Sequence, residues 1–153
     1  MEVNGWKLYG HTLFVDQLVK LIHEVQALQE SDPMGYEAHP KTKFLATINK
    51  LILQSIPQDP TAAEFRQGNT LGKENKHWFR AKFLTRYRLF FRFSTKHRAI
   101  VYVWLNDEKT LRKAGAKTDP YFIFQSMLKS GDPPQNFEVL LKAALSLKEV
   151  FEQ

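Results

Sequence analysis

The sequence predicts an α+β fold, with a small antiparallel β-sheet of three to four main strands packed against an N-terminal helix pair and C-terminal helices. Three observations predict it. Residues 78–93 alternate with a period of two, in aromatic and basic side chains, and residues 98–105 form a continuous apolar run. Segments before and after them carry apolar residues at intervals of three and four, the spacing of amphipathic helices. At 153 residues and 43% hydrophobic content, residues 1–153 are expected to form one domain with a sizeable core.

Taken in order, Val3 to Gly10 is a short extended or capping segment on that core. Thr12 or Gly10 can begin the first helix, striped by Leu18, Leu21, Ile22, Val25 and Leu28, and Ser31-Asp32-Pro33 ends it. A second helix starts near Pro40, a residue tolerated in a first turn, and buries Phe44, Leu45, Ile48, Leu51 and Ile52 until Pro57 and Pro60 stop it. The short link between the two favours an antiparallel pair. Pro57 to Lys76 is a polar excursion, with Glu64 to Gln67 a brief edge strand; its glycines lack the spacing of a phosphate-binding loop.

The strands follow. Phe79, Ala81, Phe83, Tyr87, Leu89, Phe91 and Phe93 fall on one face by alternation, and Arg80, Lys82, Arg86, Arg88 and Arg92 on the other. Leu84-Thr85-Arg86 suits a hairpin, although without the Asn-Gly that fixes a turn type. Ser94 to His97 turns the chain into Arg98 to Leu105, a central strand. Asn106 or Asp107 is expected to cap a short helix ending at Gly115. Asp107 and Glu108 are adjacent there and do not face each other as a catalytic pair. Thr118-Asp119-Pro120 opens another helix with Phe122, Ile123, Met127 and Leu128 inward, and Asn136 to Phe151 is a last amphipathic helix.

Charge is concentrated in the strands. The chain has 22 basic and 16 acidic residues, a net charge of +6, and residues 75–106 contain Lys and Arg but no Asp or Glu. Cations on one sheet face repel each other, so packing alone does not select them. Arginine forks suit phosphate, and Trp78, Phe90 and Tyr102 offer rings for stacking on bases. Nucleic acid, an acidic protein, or plain solvation that blunts sheet edges would each account for such a face. No cysteine is present, which excludes disulfides and thiolate metal sites. The five histidines are dispersed with no HExxH, so no metal or other cofactor is expected, and no Gly-x-Ser-x-Gly elbow marks a hydrolase triad. Without a leader-like N-terminus or a long apolar window, a soluble cytoplasmic protein with no membrane contact is expected.

The segments VNGW (Val3 to Trp6), FRQG (Phe65 to Gly68), RYRLFFRF (Arg86 to Phe93), NDEKTLRKAG (Asn106 to Gly115) and KTDPY (Lys117 to Tyr121) resemble, in order, the YhaV family of bacterial toxins in the RelE/ParE superfamily. The resemblance implies a RelE-like fold and a type II toxin–antitoxin function: metal-independent cleavage of mRNA, free or at the ribosome, that halts translation and growth. It further implies neutralisation by a PrlF-type antitoxin with a swapped-hairpin DNA-binding domain, and operator DNA bound through the complex. In such ribonucleases the ribose 2′-OH attacks the adjacent phosphate and leaves a 5′-OH end.

That chemistry needs charge stabilisation at phosphorus, a base and an acid. Arg80 first, then Arg86 or Arg88, are the candidates for the charge. His77 and His97, at strand ends, or Lys82 are the candidates for proton transfer. Lys76, Trp78, Phe90, Arg92 and Arg112 would hold RNA, with Arg112 either reaching over the sheet edge or serving its own helix terminus; Tyr87 falls on the core side. Two other functions share these features: a non-enzymatic toxin of the same fold with a protein target, and a basic nucleic-acid-binding regulator.

Overall fold

The computed structural model describes residues 1–152. Its sheet is built as the alternation requires. β3 (Phe79–Phe83) and β4 (Tyr87–Ser94) form an antiparallel hairpin with Arg80 opposite Phe90 and Lys82 opposite Arg88. β5 (Ala99–Leu105) pairs antiparallel with β4, and Val101 and Val103 face one layer while Ile100, Tyr102 and Leu105 face the other. A register shift at Phe90/Phe91 places Val103 and Trp104 on the same side, the effect of a β-bulge. Burial on both faces is why this strand is a continuous apolar run.

The N-terminal segment is more than a cap. β1 (Glu2–Val3) and β2 (Trp6–Gly10) form a hairpin through Asn4 and Gly5, both left-handed at φ 51° and 81°. This is the Asn-Gly signal for a two-residue turn. β2 then enters the sheet parallel to β5, so the sheet is mixed rather than purely antiparallel. Strand order is β1–β2–β5–β4–β3, and β6 (Leu145–Ser146) adds to β2.

α1 (Thr12–Ser31) leaves β2 at once. A Cβ on Gly10 would stand 2.9 Å from Val15 Cγ2, so glycine permits that tight exit. α2 (Pro40–Lys50) packs back against it, with Lys41 in its first turn paired to Glu24. The helix runs on past Lys50 through a π-helical turn (Leu51–Ser55) and a short α3 (Ile56–Gln58) that carries Pro57 in its first turn, and it ends at Gln58, between the two prolines expected to stop it. Phe14, Leu18, Ile48, Ile52 and Ile56 pack these helices on Ala81, Phe83, Leu89 and Phe91, the face named by alternation. Residues 64–67 form no strand; Ala63–Phe65 is a 3-10 turn, and Arg66 makes a single bridge to Phe79.

Two expected helices differ after β5. Residues 106–115 are turns, because Asn106 spends its side chain on the sheet: it accepts from Arg88 N at 2.7 Å and donates to the carbonyls of Arg86 and Thr110. The last helix is broken. α5 (Phe137–Lys142) and α6 (Leu147–Phe151) are separated where β6 pairs with Tyr9 and Gly10, and Ser146 caps α6. Between them and the loop lies α4 (Pro120–Ser130), which packs Tyr121, Phe124 and Leu128 on the second face of the sheet. Phe122 points outward, 49% exposed, contrary to the expected stripe. Helices therefore cover both faces.

Candidate active site

α4 decides which cations remain usable. Phe124 stacks on Phe90 at 4.4 Å and 8°, and meets the Trp78 ring edge-on at 5.0 Å. Trp78 and Phe90 are both 0% exposed, which corrects their reading as stacking platforms for RNA. Tyr102 is equally sealed, in the opposite core, with its hydroxyl donating to Ile52 O at 2.7 Å. The basic face is thus a roofed layer, and Arg80 and Arg88 are only 8% and 7% exposed rather than open to solvent.

Those two arginines converge on one atom. Arg80 Nε donates to Tyr121 Oη at 2.9 Å, and Arg88 Nε donates to the same oxygen at 3.0 Å. Arg80 Nη1 also donates to Glu64 O at 2.8 Å, while Arg88 Nη1 donates to Thr85 O and Tyr87 O at 3.1 and 2.8 Å. Each fork is therefore fixed through two of its nitrogens. Each Nη2 has no partner among the described residues, and neither is a sealed buried atom. The phenol oxygen accepts twice, leaving its own hydrogen as the free valence of the hydroxyl. Arg112 completes the group, its guanidinium 4.7 Å from the centre of the Tyr121 ring.

Local sequence explains the placement. Asp119 caps α4 by accepting from Tyr121 N at 2.9 Å, accepts from Lys113 N at 2.7 Å, and pairs with Arg112 Nη1 at 2.6 Å. Pro120 takes the first helical position. Arg112 N donates to Arg86 O at 3.0 Å and Arg86 Nε donates to Arg112 O at 3.1 Å, which ties the loop to the hairpin tip. Arg112 thus reaches the sheet edge and ends no helix. At the tip, Leu84 and Thr85 hold φ of 45° and 68°, a conformation that costs energy for side chains of that shape. Lys82, opposite Arg88, and Arg86 are exposed beside the cluster.

The other candidates form a separate group. His77 shares Gln135 Oε1 with Trp78 Nε1, both at 2.8 Å, and Arg92 Nη1 donates to Gln135 O at 2.6 Å. Arg92 lies between the Trp78 and Phe137 rings, and burial lowers its pKa to about 10. Burial likewise lowers that of His77; the Gln135 bond opposes this and the Arg92 charge adds to it. His97 stacks on Phe137 and approaches Glu138 at 3.7 Å. Lys76 is exposed on the loop before His77. None of these has a partner in the Tyr121 cluster, so the geometry unites Arg80, Arg88 and Arg112, with Lys82 and Arg86 at its rim, and leaves His77, His97, Lys76 and Arg92 outside. Tyr121 is the residue that alternation and charge did not single out; only its place in KTDPY marked it. Among the described residues no group of three His, Asp or Glu is arranged to hold a metal ion, and no helix is long and apolar enough to cross a membrane.

Known proteins resemble this chain along most of its length. A family model described as a toxin with endonuclease activity, of a toxin–antitoxin system, matches residues 8–145. Toxin YhaV of Escherichia coli O6:H1 is 47% identical over 141 residues, covering 91% of this chain and 92% of the relative. Ribonuclease toxin YhaV of Escherichia coli K12 is 46% identical over 143 residues, covering 92% and 93%. No solved structure matches.

Proposed function

The chain belongs to the YhaV family of toxins with endonuclease activity, and on that premise we propose that it cuts mRNA by attack of a ribose 2′-OH on the adjacent phosphate. The products are a 2′,3′-cyclic phosphate and a 5′-OH. The 2′ proton goes to a base and the 5′-oxygen leaves with a proton from an acid. The free Nη2 groups of Arg80 and Arg88 are set to receive the non-bridging oxygens as charge develops at phosphorus. Tyr121 Oη–H is the acid, because its lone pairs are already engaged and its hydrogen is free. Arg86, exposed at the rim, holds the incoming chain, and Lys82 beside it is the base that takes the 2′ proton.

The observation that carries the reading is the pair of guanidinium groups locked on a single phenol oxygen with one nitrogen of each left over. Cations and a phenol provide the charge and the proton without a metal, so cutting is expected to survive chelation. The toxin's partner is an antitoxin of the PrlF type, whose swapped-hairpin domain carries the pair to operator DNA, and its setting is the cytoplasm, with mRNA on the ribosome as substrate. Purified protein and end-labelled RNA, with and without EDTA and with and without ribosomes, test it. Cleavage in EDTA that leaves 5′-OH ends is the expected result; intact RNA under all four conditions would overturn it.

A further inference from the structure

The loop between β5 and α4 divides its charge by side. Asp107 and Glu108, at its start, line a groove of about 500 Å³ against α1 and α2, on the sheet face away from Tyr121. From Arg112 to Thr118 the loop carries no acid, and Lys113 and Lys117 are exposed. Asp119 closes this stretch, but its carboxylate is occupied by Arg112, Lys113 N and Tyr121 N. Neither lysine is in an ion pair among the described residues.

The stretch is also fixed beside the cationic cluster. The bonds from Arg112 N to Arg86 O and from Arg86 Nε to Arg112 O, with the Arg112 guanidinium over the Tyr121 ring, hold its first residue there, and the Asp119 cap fixes the chain just after it. Phe122, on the first turn of α4, puts a half-exposed ring in water next to it. Cations that follow a backbone, interleaved with an aromatic face, are what single-stranded nucleic acid requires.

We infer that residues 112–122 form a rail for single-stranded RNA leading away from the cut phosphate, with Lys113 and Lys117 on backbone phosphates and Phe122 on a base. The inference takes its orientation from the endonuclease reading above, yet binding can be measured without cleavage. A fluorescent 2′-O-methyl RNA strand cannot be cut by 2′ attack and serves as probe, its affinity followed by anisotropy over a salt series. Each phosphate contact on a single strand contributes about 0.7 to the slope of log affinity against log salt. Lys113→Gln/Lys117→Gln should therefore flatten the slope by about 1.4.

Lys50→Gln/Lys129→Gln removes the same charge from α2 and from the far end of α4 and should leave the slope unchanged. Phe122→Ala should weaken binding about tenfold with no change of slope, because stacking releases no counterions. A parent-like slope in the Lys113/Lys117 variant, an equal change in the Lys50/Lys129 control, or no binding by the parent would overturn the rail. Ribose RNA assayed in parallel separates the two ideas: a strand held by the rail but never cut would defeat the endonuclease reading and leave the rail standing.

Discussion

Tyr121 turns two like charges into one rigid feature. Arg80 and Arg88 would repel at close range, and the shared phenol oxygen, with backbone carbonyls on each Nη1, offsets that repulsion and fixes both forks. Tyr121→Phe keeps the ring and removes the oxygen. Single-turnover cleavage should slow by about 100-fold or more, while stability falls by about 1–3 kcal/mol for the two N–H donors left without their acceptor. A variant that cuts at the parent rate would remove Tyr121 from the chemistry. A second residue-scale expectation concerns pH. Burial lowers the pKa of His11, against the pull of Asp132, and that of His77 from the 6.5 of a free imidazole. The unfolded chain therefore takes up these protons first as pH falls, so the contribution of these two groups to stability is full above 6.5 and declines progressively below it. Melting temperature should fall on acidification, and less steeply in His77→Gln.

At the scale of elements, α4 has two jobs, sealing the second core and delivering Tyr121. Phe124 is its anchor, stacked on Phe90 and close to Trp78 and Trp104. Phe124→Ala should cost about 3–5 kcal/mol and also reduce cleavage per folded molecule, since the helix that carries the phenol is loosened. Phe91→Ala empties the opposite core at a similar cost of about 3–5 kcal/mol and should spare cleavage per folded molecule. Urea melts paired with RNA assays distinguish them; equal loss of activity in both would show that α4 is not the element that matters. The face of α4 was hard to read because Tyr121, Phe122, Ile123 and Phe124 are apolar all round the turn, so no stripe stands out. By contrast, Phe79 to Phe93 have one periodicity that separates their two faces, and Ala81, Phe83, Leu89 and Phe91 lie together on the side it put them.

For the molecule as a whole, the sheet is the middle of three layers, and that is where local pattern stopped being informative. Alternation separates the two faces of β3 and β4, but says nothing of what will lie on each. Arg80 and Phe90 look equally available until α4, far along the chain, covers them. The Asn4-Gly5 turn carries a local signal that the reading of Val3 to Gly10 as an extended or capping segment passed over, whereas the pairing of β2 with β5 depends on contacts between distant parts of the chain. That pairing has a consequence for the order of manufacture. A ribosome makes Trp6–Gly10 well before their partners Ala99 to Tyr102, and before the strand that flanks them on the other side, Leu145–Ser146. The hairpin bearing Arg80 and Arg88 likewise waits for Tyr121. A chain still emerging from the exit tunnel therefore holds β2 unpaired and the two arginines unlocked, and the arginine–phenol arrangement closes only after α4 has been made.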